Sequence, residues 1–81
     1  MMRSKRKSLK LSELNKGEQA IIIKVGGDNI SKGKIFALGI FPGESVKLEQ
    51  KFPVLLLKSG YSFIAMDEEV GKKIFVSRKN D

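Results

Sequence analysis

The segment ALGIFPG, residues 37–43, constrains the fold more than any other part of the sequence, because it places two glycines and a proline among apolar residues. Gly39 stands at the end of a helix-like segment, where a left-handed glycine often ends a helix. Residues 41–44 then have the pattern of a type II turn, with Pro42 at the second position and Gly43 at the third. The segment therefore predicts the end of a short helix, followed directly by the start of a strand.

The predicted helix covers residues 31–38. Ser31 is its predicted N-cap, and Ile30 before it is expected to pack on Ile35 as a hydrophobic staple. Ile40, just beyond the helix, is expected to contact Ile35 from the other end. These end signals predict a short helix that is held at both ends.

The rest of the chain consists mainly of short strand-like segments. Residues 18–25 are rich in Ile and Val, and residues 45–52 alternate apolar with charged side chains. Residues 54–58 and 61–66 flank Ser59-Gly60, so they predict a tight hairpin with Gly60 in its turn. A last short strand is predicted at residues 74–76.

Two further short helical turns are predicted outside these strands. Leu9, Leu11 and Leu14 suit a helical turn that leads into the first strand. Residues 67–69 are all acidic, and negative charge favours the N-terminus of a helical turn. About five strands, one short helix after the first strand and a helical turn before the last predict an all-β fold, a small barrel in one domain of 81 residues.

The net charge of +7 is concentrated at the start of the chain. Residues 1–10 contain five basic residues and no acid, whereas residues 11–77 contain nine lysines and eight acids. We expect residues 1–8 to be a disordered basic tail, residues 9–77 to be the folded domain and residues 78–81 to be a short C-terminal tail. The basic tail leaves open a contact with anionic lipid headgroups or with RNA.

The sequence offers few groups for catalysis or metal binding. It contains no Cys and no His, which removes thiolates and imidazoles as nucleophiles, bases and metal ligands. The acidic residues 67–69 are interpreted as helix-capping groups, because neighbours in one helical turn do not converge on one ion. Glycine-rich phosphate-binding motifs are absent. The protein is therefore expected to be neither an enzyme nor the carrier of a cofactor or tight metal site.

No apolar run in the sequence approaches the roughly 20 residues needed to span a bilayer. The basic start leads into LKLSEL, which is too polar for the apolar region of a signal peptide. We therefore expect a cytoplasmic protein, with peripheral association at a membrane left open.

The order of these motifs resembles the FeoA family, the small cytoplasmic ferrous iron transport protein A. The resemblance rests on LSELNKGE, an Ile-rich strand, IFALGIFPGESV, a hairpin around Gly60 and DEEVGKKIFV, which together span residues 9–77. Its most specific element is Leu38-Gly39-Ile40 followed by Pro42-Gly43, which matches the family's LG and PG pattern. Gly33 departs from the family, which often has a better helix former there, so the helix is expected to be shorter or looser.

This resemblance implies an SH3-like β-barrel with an accessory role, not a catalytic one. The expected partner is the cytoplasmic face of the GTPase-linked iron permease FeoB, and the expected effect is to modulate iron uptake. The family's fold is also similar to the C-terminal domain of iron-dependent repressors, so a stand-alone regulatory domain is an alternative. The oligomeric state is left open.

The predicted contact surface for the partner is the helix with the ALGIFPG corner, and it comprises Lys32, Lys34, Ile35, Leu38, Phe41 and Pro42. Gly39, Gly43 and Gly60 are assigned to structural turns. The rival function is a small nucleic-acid-binding barrel that uses the basic tail. Phe52, Tyr61 and Phe63 are candidate base-stacking residues for that rival. Packing within the protein is the favoured interpretation of these residues, so no specific nucleic acid is expected.

Overall fold

The computed structural model describes residues 8–79, which form one antiparallel sheet of six strands. The strand order across the sheet is β1-β6-β2-β3-β4-β5. The strands are β1 (Leu9–Lys10), β2 (Gln19–Val25), β3 (Ser45–Gln50), β4 (Leu55–Ser59), β5 (Ser62–Met66) and β6 (Ile74–Arg78). The sequence predicted about five of them, and the sixth is the two-residue β1, which pairs with β6.

Three short helical segments connect these strands. A 3₁₀ turn covers Leu11–Glu13, helix α1 covers Asn29–Ala37 and helix α2 covers Glu68–Gly71. The predicted helix after the first long strand and the predicted helical turn before the last strand are therefore both confirmed. Helix α1 runs through Gly33 without a break.

The core lies on one side of the strands, as their alternating sequences predict. In β3, Val46 and Leu48 are buried, whereas Lys47 and Glu49 remain partly exposed. The inward side chains of the long strands pack into one cluster with Leu11, Leu14, Ile35 and Ile40. This arrangement is the all-β, SH3-like barrel that the sequence predicted.

The start of α1 differs from the prediction. Asp28, not Ser31, is the N-cap, and its Oδ1 accepts a hydrogen bond of 2.8 Å from the Ser31 backbone N–H. The helix therefore begins two residues earlier than predicted. The predicted hydrophobic staple between Ile30 and Ile35 is also wrong, because Ile30 is 72% exposed while Ile35 is buried. With the cap moved to Asp28, Ile30 falls inside the first turn and faces solvent.

The end of α1 and the turn after it agree with the prediction. Gly39 has a φ of +93°, and its N–H donates to the Phe36 carbonyl at 2.9 Å. Ile40 and Ile35 are both buried in the core cluster, as expected of the apolar pair at such a helix end. Gly43 has a φ of +94° within the turn of residues 41–44, which leads directly into β3.

The β4–β5 hairpin and the start of α2 are also confirmed. Ser59 pairs with Ser62, and Gly60 between them has a φ of +62°. Asp67 caps α2 by accepting a hydrogen bond of 3.0 Å from the Val70 N–H.

The last strand is longer than the predicted 74–76 and ends at Arg78. Arg78 Nε donates to Glu18 Oε2 at 2.8 Å, next to the start of β2. The Asn15 backbone N–H and the Arg78 guanidinium both lower the pKa of the Glu18 carboxyl. Pairing of Ser77 and Arg78 with Ile21 and Ala20 of β2 extends β6 beyond the region that its own apolar pattern marks. The predicted N-terminal tail lies outside the described residues, apart from Ser8.

Candidate functional site

A groove between α1 and the segment that contains α2 brings together three of the predicted contact residues. Lys34, Ile35 and Leu38 line it from α1 and its C-terminal end. The groove has a volume of about 200 Å³, and its other lining residues are Ser31, Val70 and Lys73. We call it the α1–α2 groove.

The chemistry of the α1–α2 groove combines apolar and cationic side chains. Ile35 is buried, Val70 is partly buried and Leu38 is 43% exposed, so apolar atoms are accessible from solvent. Lys34 and Lys73 supply two positive charges. Lys73 Nζ donates a hydrogen bond of 3.2 Å to Ser31 Oγ, which holds this lysine against the helix. The groove can therefore accept an apolar side chain flanked by negative charge.

Two stacked aromatic rings lie next to the end of α1. The ring centroids of Phe36 and Phe41 are 5.5 Å apart and their planes are inclined by 2°. Both rings are more than a third exposed. Sequence reasoning named Phe41 but missed Phe36. Phe36 follows the buried Ile35, and neighbouring helical residues point about 100° apart, so that spacing was the signal that Phe36 faces outward.

The remaining predicted contact residues lie apart from the groove lining. Lys32 is partly buried and Pro42 is exposed, and neither lines the α1–α2 groove. Lys32 and Lys34 are two helical positions apart, which places them on different sides of α1. The predicted surface thus divides into the groove, the aromatic pair and the Lys32 side of the helix.

Three aromatic side chains contradict the expectation that they pack inside the protein. Phe52 is 81% exposed, Phe63 is 60% exposed and Tyr61 is fully exposed. Phe63 lies on the outward side of β5, next to the buried Ile64, and Tyr61 lies in the hairpin turn. Sequence alternation alone could have assigned Phe63 to the outward side, because Ile64 and Met66 take the inward positions.

Among residues 8–79, no group of three or more acidic side chains is placed to hold a metal ion. Asp67 instead serves as the cap of α2, while Glu69 forms an ion pair with Lys72 at 3.6 Å. Within the same range, no helix is both long enough and apolar enough to cross a bilayer.

These features define the chain as a small SH3-like β-barrel with exposed apolar and cationic side chains beside helix α1. The FeoA domain model matches residues 9–78, so the chain belongs to the FeoA domain family. No curated protein matches the chain at a significant level.

Solved structures agree with this assignment at the level of the fold. A FeoA-like protein from Clostridium acetobutylicum matches with a TM-score of 0.82 and 19% identity, over 94% of this chain and 91% of its own. The FeoA protein from Chlorobium tepidum matches with a TM-score of 0.78 and 22% identity, over 88% of this chain and 70% of its own.

A manganese-dependent transcriptional repressor matches with a TM-score of 0.81 and 10% identity. The match covers 93% of this chain but 44% of the repressor. At that identity the likeness concerns the fold alone.

Proposed function

We propose that this protein is a non-enzymatic cytoplasmic accessory protein of ferrous iron transport. In this proposal it binds the cytoplasmic face of a FeoB-like iron permease and thereby modulates iron uptake. Membership of the FeoA domain family supports the connection with iron transport. The observation that carries the binding proposal is the α1–α2 groove, which offers apolar side chains between Lys34 and Lys73.

The groove suits a protein partner because its apolar lining is accessible and its walls are held in place. Docking one aliphatic side chain against Leu38 and Val70 removes apolar surface from water, which stabilises a complex. Lys34 and Lys73 favour a partner segment that carries Asp or Glu next to that side chain. The proposed partner segment is therefore apolar at its centre and acidic at its edges.

Helix α1 is a rigid platform for such a contact. Asp28 caps its N-terminus, Gly39 ends it, and Ile35 anchors it in the core. A platform that is ordered before binding loses little conformational entropy when a partner docks. The stacked pair of Phe36 and Phe41 extends this ordered surface beyond the groove.

The test measures the affinity of the purified protein for FeoB in detergent or nanodiscs. Lys34→Glu is expected to weaken binding by about tenfold, or roughly 1.4 kcal/mol, because it replaces attraction to an acidic segment with repulsion. The variant should remain folded, because residue 34 is exposed and Glu and Lys have similar helix propensities.

Lys58→Glu is the matched control, because it makes the same change of charge on β4, outside the groove. It should leave FeoB affinity within about twofold of the wild type. If both variants weaken FeoB binding equally, net charge and not the groove is responsible. If the wild-type protein shows no measurable binding, the proposal is contradicted.

A further inference from the structure

A row of cationic and aromatic side chains crosses the outward side of the sheet. Gln19 of β2 lies opposite Lys47 of β3, Lys47 lies opposite Lys58 of β4, and Lys58 lies opposite Phe63 of β5. Residues directly opposite each other on neighbouring strands share one side of a sheet. With Tyr61 in the adjoining turn, we call this row the outer sheet face.

The outer sheet face is not explained by the stability of the fold. Lys47 and Lys58 are like charges in directly opposed positions, an arrangement that destabilises a sheet. Phe63 and Tyr61 leave most of their surface in water, so they add little to the core. Side chains that do not serve the fold are candidates for contact with a ligand.

Among the residues that the structure describes, the lysines of this face have only weak partners. Lys58 Nζ lies 6.0 Å from the centre of the Phe63 ring, and Lys47 Nζ lies 3.9 Å from Glu49 Oε2. The latter is a partly exposed ion pair, which contributes little stability. Both ammonium groups therefore remain available to anions at small cost.

A shallow groove of about 290 Å³ runs along this row. Its lining residues are Gln19, Ser45, Val46, Lys47, Lys58 and Gly60. Two lysines and no acid are among these lining residues. Phe63 lies opposite the lining Lys58, and Tyr61 follows the lining Gly60 in the hairpin turn. A chain of anions can therefore lie across the strands while planar groups reach the aromatic rings.

We propose that the outer sheet face binds single-stranded nucleic acid. Lys47 and Lys58 contact successive phosphates, and Phe63 and Tyr61 stack on unpaired bases. This combination of a cationic groove with exposed aromatic rings is the physical basis of sequence-tolerant binding to single strands. A purely acidic peptide would use the lysines but has no planar group to stack on the rings, whereas single-stranded nucleic acid uses both, so the combination of lysines and rings favours nucleic acid.

The test uses fluorescence anisotropy of the full chain with a fluorescein-labelled oligouridine of about twelve nucleotides. Phe63→Ala is expected to weaken binding by about tenfold through loss of base stacking. Lys58→Glu is expected to weaken it at least as much, and to lower the slope of log K against log salt by about 0.7 for the lost phosphate contact. Weaker binding by Lys58→Glu would not reflect loss of folding, because a Glu at position 58 would replace a repulsive pair with Lys47 by an attractive one.

Lys34→Glu is the matched control, because it changes the net charge by the same amount as Lys58→Glu but lies in the α1–α2 groove. It should leave oligouridine affinity within about twofold, although it is expected to weaken FeoB binding. Lys34→Glu should weaken FeoB binding alone, and Lys58→Glu should weaken oligouridine binding alone. Each proposal can therefore fail without the other.

Three results would overturn the proposal. One is equal weakening by Lys34→Glu and Lys58→Glu, which would mean that net charge alone attracts the RNA. Another is equally tight binding of a duplex of the same length, whose base faces are hidden. The third is equally tight binding of a labelled oligoglutamate, which would identify an anionic protein segment as the better ligand.

Discussion

At the scale of single residues, two glycines of the same helical region serve different purposes. Gly39 adopts a φ of +93°, a left-handed conformation that side chains disfavour. Gly33 lies inside α1 with an ordinary helical backbone. A Cβ added at either position would meet no atom within 4 Å. A change in stability on replacing either glycine therefore reports its backbone conformation and not steric crowding.

We expect Gly39→Val to lower the free energy of unfolding by about 1–2 kcal/mol, because a β-branched residue is strained at positive φ. Gly33→Ala should instead raise it by roughly 0.5–1 kcal/mol, because Ala loses less backbone entropy in a helix. Thermal and urea unfolding of both variants checks the pair. An unchanged melting temperature for Gly39→Val would mean that this residue does not end α1 in the left-handed conformation.

At the scale of elements, helix α1 depends on a charged cap. Asp28 Oδ1 accepts a hydrogen bond from the Ser31 backbone N–H, and that bond, the Ser31 hydroxyl and the charge of Lys73 lower the pKa of the Asp28 carboxyl. A lowered pKa in the folded state means that the ionised cap stabilises the fold above the unfolded value of 3.8. This contribution is lost as the pH falls through the folded pKa.

Asp28→Ala is therefore expected to lower the melting temperature at pH 7, and the difference from the wild type should narrow as the pH falls below about 3.8. Asp28→Asn is the control, because Asn caps a helix without a titrating group. Its melting temperature should exceed that of Asp28→Ala by an amount that changes little with pH. A gap between Asp28→Ala and wild type that stays constant down to pH 2 would contradict the role of ionised Asp28.

At the scale of the whole molecule, the described domain is held together by packing of one apolar cluster. The sequence has no Cys to form a disulfide and no His to bind a metal. The strands and helices contribute side chains to the same core cluster. The acids at the start of α2 serve that helix: Asp67 caps it and Glu69 pairs with Lys72. We therefore expect no metal ion to contribute to the fold.

Anaerobic titration calorimetry with ferrous ion should detect only weak binding to the purified protein, and the melting temperature should not change when a chelator is added. Weak binding is expected because isolated exposed carboxylates bind ferrous ion poorly without imidazole or thiolate ligands. A stoichiometric site with a dissociation constant of about 1 µM or lower, lost in Glu68→Gln or Glu69→Gln, would contradict this.

The sequence by itself determined several local features of the fold, although it misplaced the start of α1. Alternation in residues 45–50 selected Val46 and Leu48 for the core, and Gly39 and Gly43 marked the positions of positive φ. These properties depend on the period of a strand or on the conformational freedom of one residue, so neighbours along the chain suffice to predict them.

Only the tertiary structure decided which distant side chains share a surface. The meeting of Lys34 with Lys73 requires that α1 and the α2 segment pack together, and the row from Lys47 through Lys58 to Phe63 requires the register of three strands. A shift of one residue in that register would send each side chain to the opposite side of the sheet. Register is set by the packing of the whole core, so which outward side chains become neighbours across strands cannot be predicted from one strand's sequence.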